Sequence, residues 1–195
     1  MSIEEICKKY DITNYNINED GSVDVAVSVD LNDCKLTELP LKFGIVAGGF
    51  YCSNNELTDL KGSPKEVDGD FYCQYNNLTD LKGSPESIGG GFYCQYNNLT
   101  DLKGSPKSIG REVNCSANEL TSLEGSPKSI GGGFYCSNNP IESIFNNVDM
   151  NFIRAFKTFK VLKDRVIDLK RLKYVMELFD LPINIGRIKR NFRIK

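Results

Sequence analysis

The chain has 195 residues, of which 40% are hydrophobic and 26% charged; this composition excludes a disordered protein and predicts a buried core. It contains no histidine, which excludes catalytic Ser/His and Cys/His pairs and every histidine metal ligand. The net charge of −2 conceals an asymmetry, because residues 1–149 carry a net charge of −11 and residues 150–195 a net charge of +9, so we expect two surfaces of opposite charge.

Residues 1–28 predict an N-terminal cap. Residues 2–9 suggest a short helix, and the alternation over 12–17 and 23–29, around a turn at Asn18-Glu19-Asp20-Gly21, predicts a β-hairpin that covers the first open edge. The first residues lack a basic and then apolar signal sequence, and no apolar run reaches the ~20 residues of a membrane span. Seven cysteines without such a signal favour a reducing compartment, so we expect a cytoplasmic protein.

Residues 29–144 contain a 21-residue repeat, which predicts a solenoid of about six turns. In each turn, alternating residues such as Phe50 and Cys52 point inward and stack on their copies. A Gly-Ser-Pro segment reverses the chain, and one asparagine in each turn is expected to satisfy backbone amides. The clearest repeated positions are Cys52, Cys73, Cys94, Cys115 and Cys136, then Asn55, Asn76, Asn97, Asn118 and Asn139, then Leu57, Leu78, Leu99, Leu120 and Ile141.

This repeat resembles the leucine-rich repeat. The family's L-x-L-x-x-N/C-x-L segment is matched by Phe50-Tyr51-Cys52-Ser53-Asn54-Asn55-Glu56-Leu57, and residues 29–144 follow the pattern. The short period is similar to bacterial-type repeats, and the F-Y-C-x-x-N-x-L-T-x-L-x-G-x-P phrase is similar to uncharacterised repeat proteins of tailed bacteriophages. The resemblance implies an α/β-type solenoid with short parallel strands on its concave face.

Residues 145–195 predict a basic, helical C-terminal cap. Phe152, Ile153, Phe156 and Phe159 recur at helical spacing. Asp168 is expected to cap a second helix that ends at Leu181-Pro182. The apolar face of this helix is expected to consist of Leu169, Leu172, Val175, Met176 and Phe179. The final stretch is basic, and its cations form a secondary candidate surface that consists of Arg187, Lys189, Arg190 and Arg193.

A row of outward-facing tyrosines is the main candidate binding site. Parallel strands lie ~4.8 Å apart, so these rings are expected to stack, with one interruption at Asn114. Tyrosine is enriched in binding surfaces, although such a row could also serve only to stabilise the solenoid. Tyr75 and Tyr96 widen the patch. The candidate residues on the concave face are Tyr51, Tyr72, Gln74, Tyr93, Gln95, Asn114 and Tyr135.

The cysteines and carboxylates point away from catalysis. Cysteines that recur once in each repeat do not form a metal or redox motif, and inward cysteines, with Cys7 and Cys34 alike, are expected to be structural. Asp59, Asp80 and Asp101 follow Leu-Thr in successive turns, which is typical of solvated loops. We therefore expect no enzyme activity, no cofactor and no metal.

These features favour a non-enzymatic protein-binding module. The resemblance to bacteriophage proteins implies a host partner, a defence or transcription component, that is inhibited or redirected. Two alternatives stay open: an adaptor whose basic C-terminal region contacts nucleic acid, and a structural virion component. The chain is expected to be a monomer or a homodimer formed through a cap, with no membrane contact.

Overall fold

A computed structural model describes residues 1–143, 161–163, 166–178, 188 and 192–195. Over the repeats it shows a β-solenoid in which each turn contributes two very short strands to two separate parallel sheets. The strands of the first sheet are β1 Tyr15–Ile17, β2 Val23–Val25, β4 Phe43–Val46, β6 Glu66–Val67, β8 Ser87–Ile88, β10 Ser108–Ile109 and β12 Ser129–Ile130. Those of the second sheet are β3 Val29–Asp30, β5 Phe50–Tyr51, β7 Phe71–Tyr72, β9 Phe92–Tyr93, β11 Val113–Asn114 and β13 Phe134–Tyr135.

The pairing register confirms the repeat period. Phe50 pairs with Phe71, Phe71 with Phe92, and Val67 with Ile88, always in parallel. The six strands of the second sheet enclose about five turns, beginning at Val29, which pairs with Phe50. The degenerate first copy of the repeat is therefore part of the stack. The solenoid has about five turns, whereas the sequence suggested about six.

The expected α/β character is not found in the described solenoid. From Val29 to Asn139 the chain contains strands, turns and bends only, and a short 3-10 helix follows at Pro140–Ser143. Each repeat of the solenoid consists of two short strands and the turns and bends that connect them, so it contains no helix. The second strand of each turn, such as β6, was not anticipated from the sequence.

The Gly-Ser-Pro segment forms the predicted chain reversal. Gly62 has a φ of +93°, and a Cβ there would lie 2.6 Å from the carbonyl oxygen of Leu41. Gly83, one turn later, has a φ of +87° and the same close approach to the carbonyl oxygen of Leu60. Both the left-handed backbone and the contact with the previous turn therefore require glycine.

The core is a set of stacked columns, as predicted. Phe50 and Phe71 stack with ring centroids 5.4 Å apart and planes 11° apart. The inward columns are buried throughout, and their innermost members are Phe50, Phe71, Phe92, Phe134, Cys52, Cys73, Cys94, Cys115, Cys136, Leu57, Leu78, Leu99, Leu120 and Ile141. No single turn covers its own apolar side chains, so neighbouring turns stabilise each other.

The buried asparagines join adjacent turns. Asn97 donates from Nδ2 to the carbonyl oxygens of Cys73 at 3.0 Å and Cys94 at 3.2 Å, and its Oδ1 accepts the N–H of Leu78 at 3.0 Å. Asn76 makes the equivalent bonds one turn earlier. The prediction that these amides satisfy backbone groups is confirmed, and it explains why asparagine recurs.

At the N-terminus, helix α1 spans Ile3–Lys9 and begins with a capping box between Ser2 and Glu5. Strands β1 and β2 form the predicted antiparallel hairpin, and β2 continues the first sheet by pairing in parallel with β4. The second hairpin strand is shorter than expected, because Val29 belongs instead to the second sheet. That the hairpin acts as a cap stays a prediction, as do the domain boundaries at 28 and 144.

At the C-terminus, helix α2 spans Leu169–Leu178 with Leu172, Val175 and Met176 buried, as predicted. The side chain of Asp168 accepts the N–H of Arg171 at 3.1 Å, as an N-cap residue does. An unpredicted three-stranded sheet lies beside α2 and consists of β14 Leu162–Lys163, β15 Val166–Ile167 and β16 Arg193–Ile194. The helix expected at 152–159 and the stop at Leu181-Pro182 lie outside the described residues.

Candidate functional site

The outward residues of the second sheet form the surface that we call the tyrosine face. Its first row contains Tyr51, Tyr72, Tyr93, Asn114 and Tyr135, one from each strand after β3. Tyr72 and Tyr93 stack with centroids 4.4 Å apart and planes 12° apart, whereas Tyr51 and Tyr72 lie 5.3 Å apart and are tilted by 51°. The predicted stacking is therefore present, and it leaves the first three rings only partly exposed.

Glycines set the position of several rings in the first row. A Cβ on Gly91 would lie 2.8 Å from ring atoms of Tyr93, and a Cβ on Gly133 would lie 2.8 Å from ring atoms of Tyr135. Each of these rings therefore lies over the backbone two residues before it. In the alternate turns the same position carries a carboxylate, Asp70 or Glu112.

Both carboxylates accept hydrogen bonds from residues of the neighbouring turn. The hydroxyl of Tyr93 donates to Glu112, and Asp70 accepts the N–H of Gly91 at 2.7 Å. The bond with Tyr93 lowers the pKa of Glu112, while the same bond, with burial, raises the pKa of Tyr93. Burial and the charge of Asp70 raise the pKa of Tyr72. Half-buried, stacked and hydrogen-bonded, these tyrosines stabilise the solenoid as well as forming its surface.

Beside this row lies a more exposed tyrosine pair, Tyr75 and Tyr96. Their rings stack with centroids 4.4 Å apart and planes 8° apart. Tyr75 is 49% exposed and Tyr96 50% exposed. The sequence indicated these residues only as an extension of the patch and not as site residues. Their side chains are the most exposed rings of the tyrosine face.

The backbone of the tyrosine pair is unusual for an aromatic residue. Tyr75 and Tyr96 both have a φ of +56°, in the left-handed region. The equivalent positions of the other turns share this conformation and carry residues that are smaller, namely Asp33, Asn54, Ala117 and Asn138. Asparagine and aspartate tolerate a left-handed backbone, whereas a bulky side chain there is rare. Folding alone therefore does not account for tyrosine at these two positions.

Gln74 and Gln95 lie between the first row and the tyrosine pair. Both are partly buried, and the Oε1 atom of each finds no hydrogen-bond partner among the described residues. In neighbouring turns the same position holds serine, and Ser137 donates to Ser116 at 3.1 Å. Each of the two glutamines thus has one buried amide oxygen without a hydrogen-bond partner beside the tyrosine pair.

The cysteine column is unreactive by position. Cys52, Cys73, Cys94, Cys115 and Cys136 are 0% exposed and all are free thiols. Burial raises the pKa of Cys94 to about 12, so the thiolate is disfavoured. Cys7 is buried as well, but Cys34 is exposed and lies in a loop after β3, outside the inward columns. That Cys34 is structural stays a prediction. Within the described part of the chain, no His, Cys, Asp and Glu side chains are grouped to hold a metal ion.

The repeated aspartates cap loops. Asp59, Asp80 and Asp101 each accept the backbone N–H two residues later, from Lys61, Lys82 and Lys103 respectively, at 2.9 Å. This is an Asx-turn, a local structural role that Asp fills well. The arrangement agrees with the interpretation of these residues as loop residues.

Of the secondary basic surface, only Arg193 can be placed. It is exposed and lies in β16, which pairs in parallel with β15. Arg187, Lys189 and Arg190 lie outside the described residues. Lys170, Arg171 and Tyr174 line an open cleft beside Asp168 at the start of α2. That the four cations form one surface therefore stays a prediction.

No family model matches this sequence, and no curated protein matches it. The geometry establishes a parallel β-solenoid with a period of about 21 residues, which is compatible with a short-repeat protein. None of the helices in the described part of the chain is both long and apolar enough to cross a lipid bilayer. The more specific kinship inferred from the sequence has no independent support from these comparisons.

Proposed function

We propose that this chain is a non-enzymatic protein-binding module and that the tyrosine face is its binding surface. The observation that carries the proposal is the tyrosine pair, two half-exposed rings held in a left-handed backbone. A non-glycine residue in that region costs about 1–3 kcal/mol. Stacking of one aromatic pair contributes about 0.5–1.5 kcal/mol. The other turns have the same left-handed backbone with aspartate, asparagine or alanine, so the fold does not require large rings at these two positions, and a contact with a partner is the better reason for their presence.

The surroundings favour a protein partner with basic character. Tyr135, 43% exposed, adds a further aromatic ring to the same face. Asp30, Asp33, Asp70 and Glu112 lie along the same side of the stack, within a segment whose net charge is −11. Nucleic-acid backbones are bound mainly by cations, which this face lacks in number. Aromatic side chains with carboxylates are instead suited to a protein that presents lysine or arginine.

The biological setting follows from the sequence resemblance. We propose that the chain is a leucine-rich-repeat relative without helices on its outer side, carried by a bacteriophage and acting in the host cytoplasm. Its partner would then be a host protein, of a defence or transcription system, that it inhibits or redirects. This step rests on analogy, because a solenoid supports many functions.

The test is affinity capture from lysate of the natural host at moderate salt, with nuclease present. The informative variant is Tyr75→Asn with Tyr96→Asn, because asparagine occupies the same position in other turns and suits the left-handed backbone. We expect unchanged or higher thermal stability and loss of the captured protein. Substitution of Tyr72 or Tyr93 is less clean, because it would unstack the first row and leave Glu112 without its donor.

The matched control is Ser87→Asn with Ser108→Asn on the first sheet, which should retain capture. Capture of the same protein by the tyrosine-pair variant would contradict the proposal. Retention of only nuclease-sensitive material, lost between low and moderate salt by both variants, would favour the alternative in which the basic C-terminal region binds nucleic acid. Recovery only with assembled particles would favour a structural virion component.

A further inference from the structure

One turn of the solenoid departs from the others on the tyrosine face. In β11, Val113 replaces the inward phenylalanine and Asn114 replaces the outward tyrosine. The same turn carries Ala117 where the two preceding turns carry Tyr75 and Tyr96. The first row is therefore interrupted in the same turn in which the tyrosine pair ends, which leaves a notch in the tyrosine face.

The notch lies between two rings of like orientation. Asn114 pairs with Tyr93 on one side and with Tyr135 on the other. Both tyrosines lie over the glycine two residues earlier, with the same approach of 2.8 Å to a Cβ placed there. Adjacent strands are ~4.8 Å apart, so the two rings are separated by about 10 Å, twice that spacing. This is the space of one missing ring, and one flat group would contact both tyrosines.

The polar residues around the notch give it a negative side. The Oδ1 atom of Asn114 accepts the N–H of Ser116 at 3.1 Å, so its amide is turned toward its own backbone. Glu112, two residues before Asn114, accepts a hydrogen bond from the hydroxyl of Tyr93. A carboxylate accepts several hydrogen bonds, so Glu112 keeps capacity for a further donor.

We propose that this notch binds the guanidinium group of an arginine presented by the protein partner, stacked between Tyr93 and Tyr135 and paired with Glu112. The inference rests on the proposed protein-binding function and specifies the partner group. Guanidinium is planar, stacks on aromatic faces and donates in a fork that matches a carboxylate. A lysine ammonium lacks the flat shape. A nucleobase has it, but its phosphate would meet Glu112 and Asp70.

The decisive variant is Asn114→Tyr, which fills the notch with the residue of the other turns. Because it restores the continuous row, we expect it to fold and to melt at the same or a higher temperature. The probe is the peptide acetyl-Gly-Arg-Gly-amide, compared with its lysine and citrulline counterparts by NMR titration of the tyrosine ring signals. We expect the arginine peptide to bind the native chain at least about fivefold more tightly than either counterpart, and Asn114→Tyr to weaken it at least about tenfold.

Three further variants test the result. Glu112→Gln keeps an acceptor for Tyr93 but removes the charge, and should weaken the arginine peptide about fivefold; it serves also if Asn114→Tyr fails to fold. Arg111→Ala should bind the peptide at least as well as the native chain, because it removes the neighbouring competing cation. Ser108→Tyr adds a tyrosine to the first sheet and should change nothing.

Several results would overturn the inference. Equal binding of the three peptides, full binding by Asn114→Tyr, or tighter binding of uridine monophosphate than of the arginine peptide would each do so. The two proposals fail separately. If host-protein capture needs the tyrosine pair but survives Asn114→Tyr, the protein-binding function stands and the arginine site falls. If the arginine peptide requires the notch while no protein is captured, the site stands and the proposed function falls.

Discussion

The two sheets of the solenoid share one stack of turns and one core, yet their outward faces differ. The outward column of the first sheet carries Ile45, Glu66, Ser87, Ser108 and Ser129, which pair in register from turn to turn. The outward columns of the second sheet carry the tyrosine face. Both sheets use two-residue strands in most turns, with parallel pairing.

This difference separates the residues that stabilise the fold from the residues that form its surface. The inward side chains are apolar in every turn, and the buried asparagines from Asn55 to Asn139 recur at the same position of successive turns. Serine on the first sheet keeps that face polar and flat, a suitable surface for a solvated sheet. Large rings on the second sheet add exposed aromatic area, which in soluble proteins commonly marks a contact surface. Substitutions in the core should therefore affect both faces, and outward substitutions only one.

The largest effect is expected from Leu99→Asp. Leu99 is 0% exposed in the central stack, so the aspartate would be buried among apolar side chains. The cost should be about 5 kcal/mol or more, comparable with the whole stability of a domain. We expect cooperative loss of both sheets, measured by circular dichroism during thermal unfolding.

The control is Asn98→Asp, at the adjacent exposed position. It adds the same charge outside the stack and should leave the melting temperature nearly unchanged. An unaltered melting curve for Leu99→Asp would mean that the repeat register is wrong.

An intermediate effect is expected from Asn97→Ala. The change removes three donor contacts, to Cys73, Cys94 and Gln95, and leaves the N–H of Leu78 without its acceptor. One buried unsatisfied group costs about 1–3 kcal/mol. Urea unfolding should show a lower midpoint, with the tyrosine face and the first sheet still present in the folded state.

Asn98→Ala is the matched control, because it removes an exposed amide beside the buried one. Equal midpoints for the two alanine variants would show that the ladder does not join the turns energetically.

The smallest effect is expected from Ser108→Ala on the exposed outward column of the first sheet. Such a surface substitution should change the free energy of unfolding by less than about 0.5 kcal/mol. It should also leave partner capture intact. A clear loss of capture by this variant would place the binding surface on the first sheet and reverse the contrast between the two faces.

Much of the fold was predictable because the repeat is regular. The constant period fixes which side chains stack, and the alternation at Phe50, Tyr51 and Cys52 fixes which point inward. The repeat strands of the first sheet were missed because a two-residue strand such as Glu66–Val67 is too short to show alternation. The sheet beside α2 was missed for the same reason, since β14, β15 and β16 contain two residues each.

The candidate site was predicted in part. Tyr51, Tyr72, Tyr93 and Tyr135 follow from the alternation, and the interruption at Asn114 was visible as a break in the row. The prominence of Tyr75 and Tyr96 was not, because a backbone with positive φ turns them out of the simple alternation of a strand. One signal was available: asparagine at positions 54 and 138 of the same column is typical of a left-handed residue.

The sequence by itself determined the solenoid, its period, its inward columns and the buried asparagines, because repeated apolar residues can be covered only by stacking on their copies. The tertiary structure alone decided that each turn contains two strands, that Cys34 is exposed, and that the hydroxyl of Tyr93 is bound to a carboxylate while the rings of the tyrosine pair stand half exposed. These features depend on how neighbouring turns approach one another across a whole repeat of the chain, and local sequence does not encode that distance.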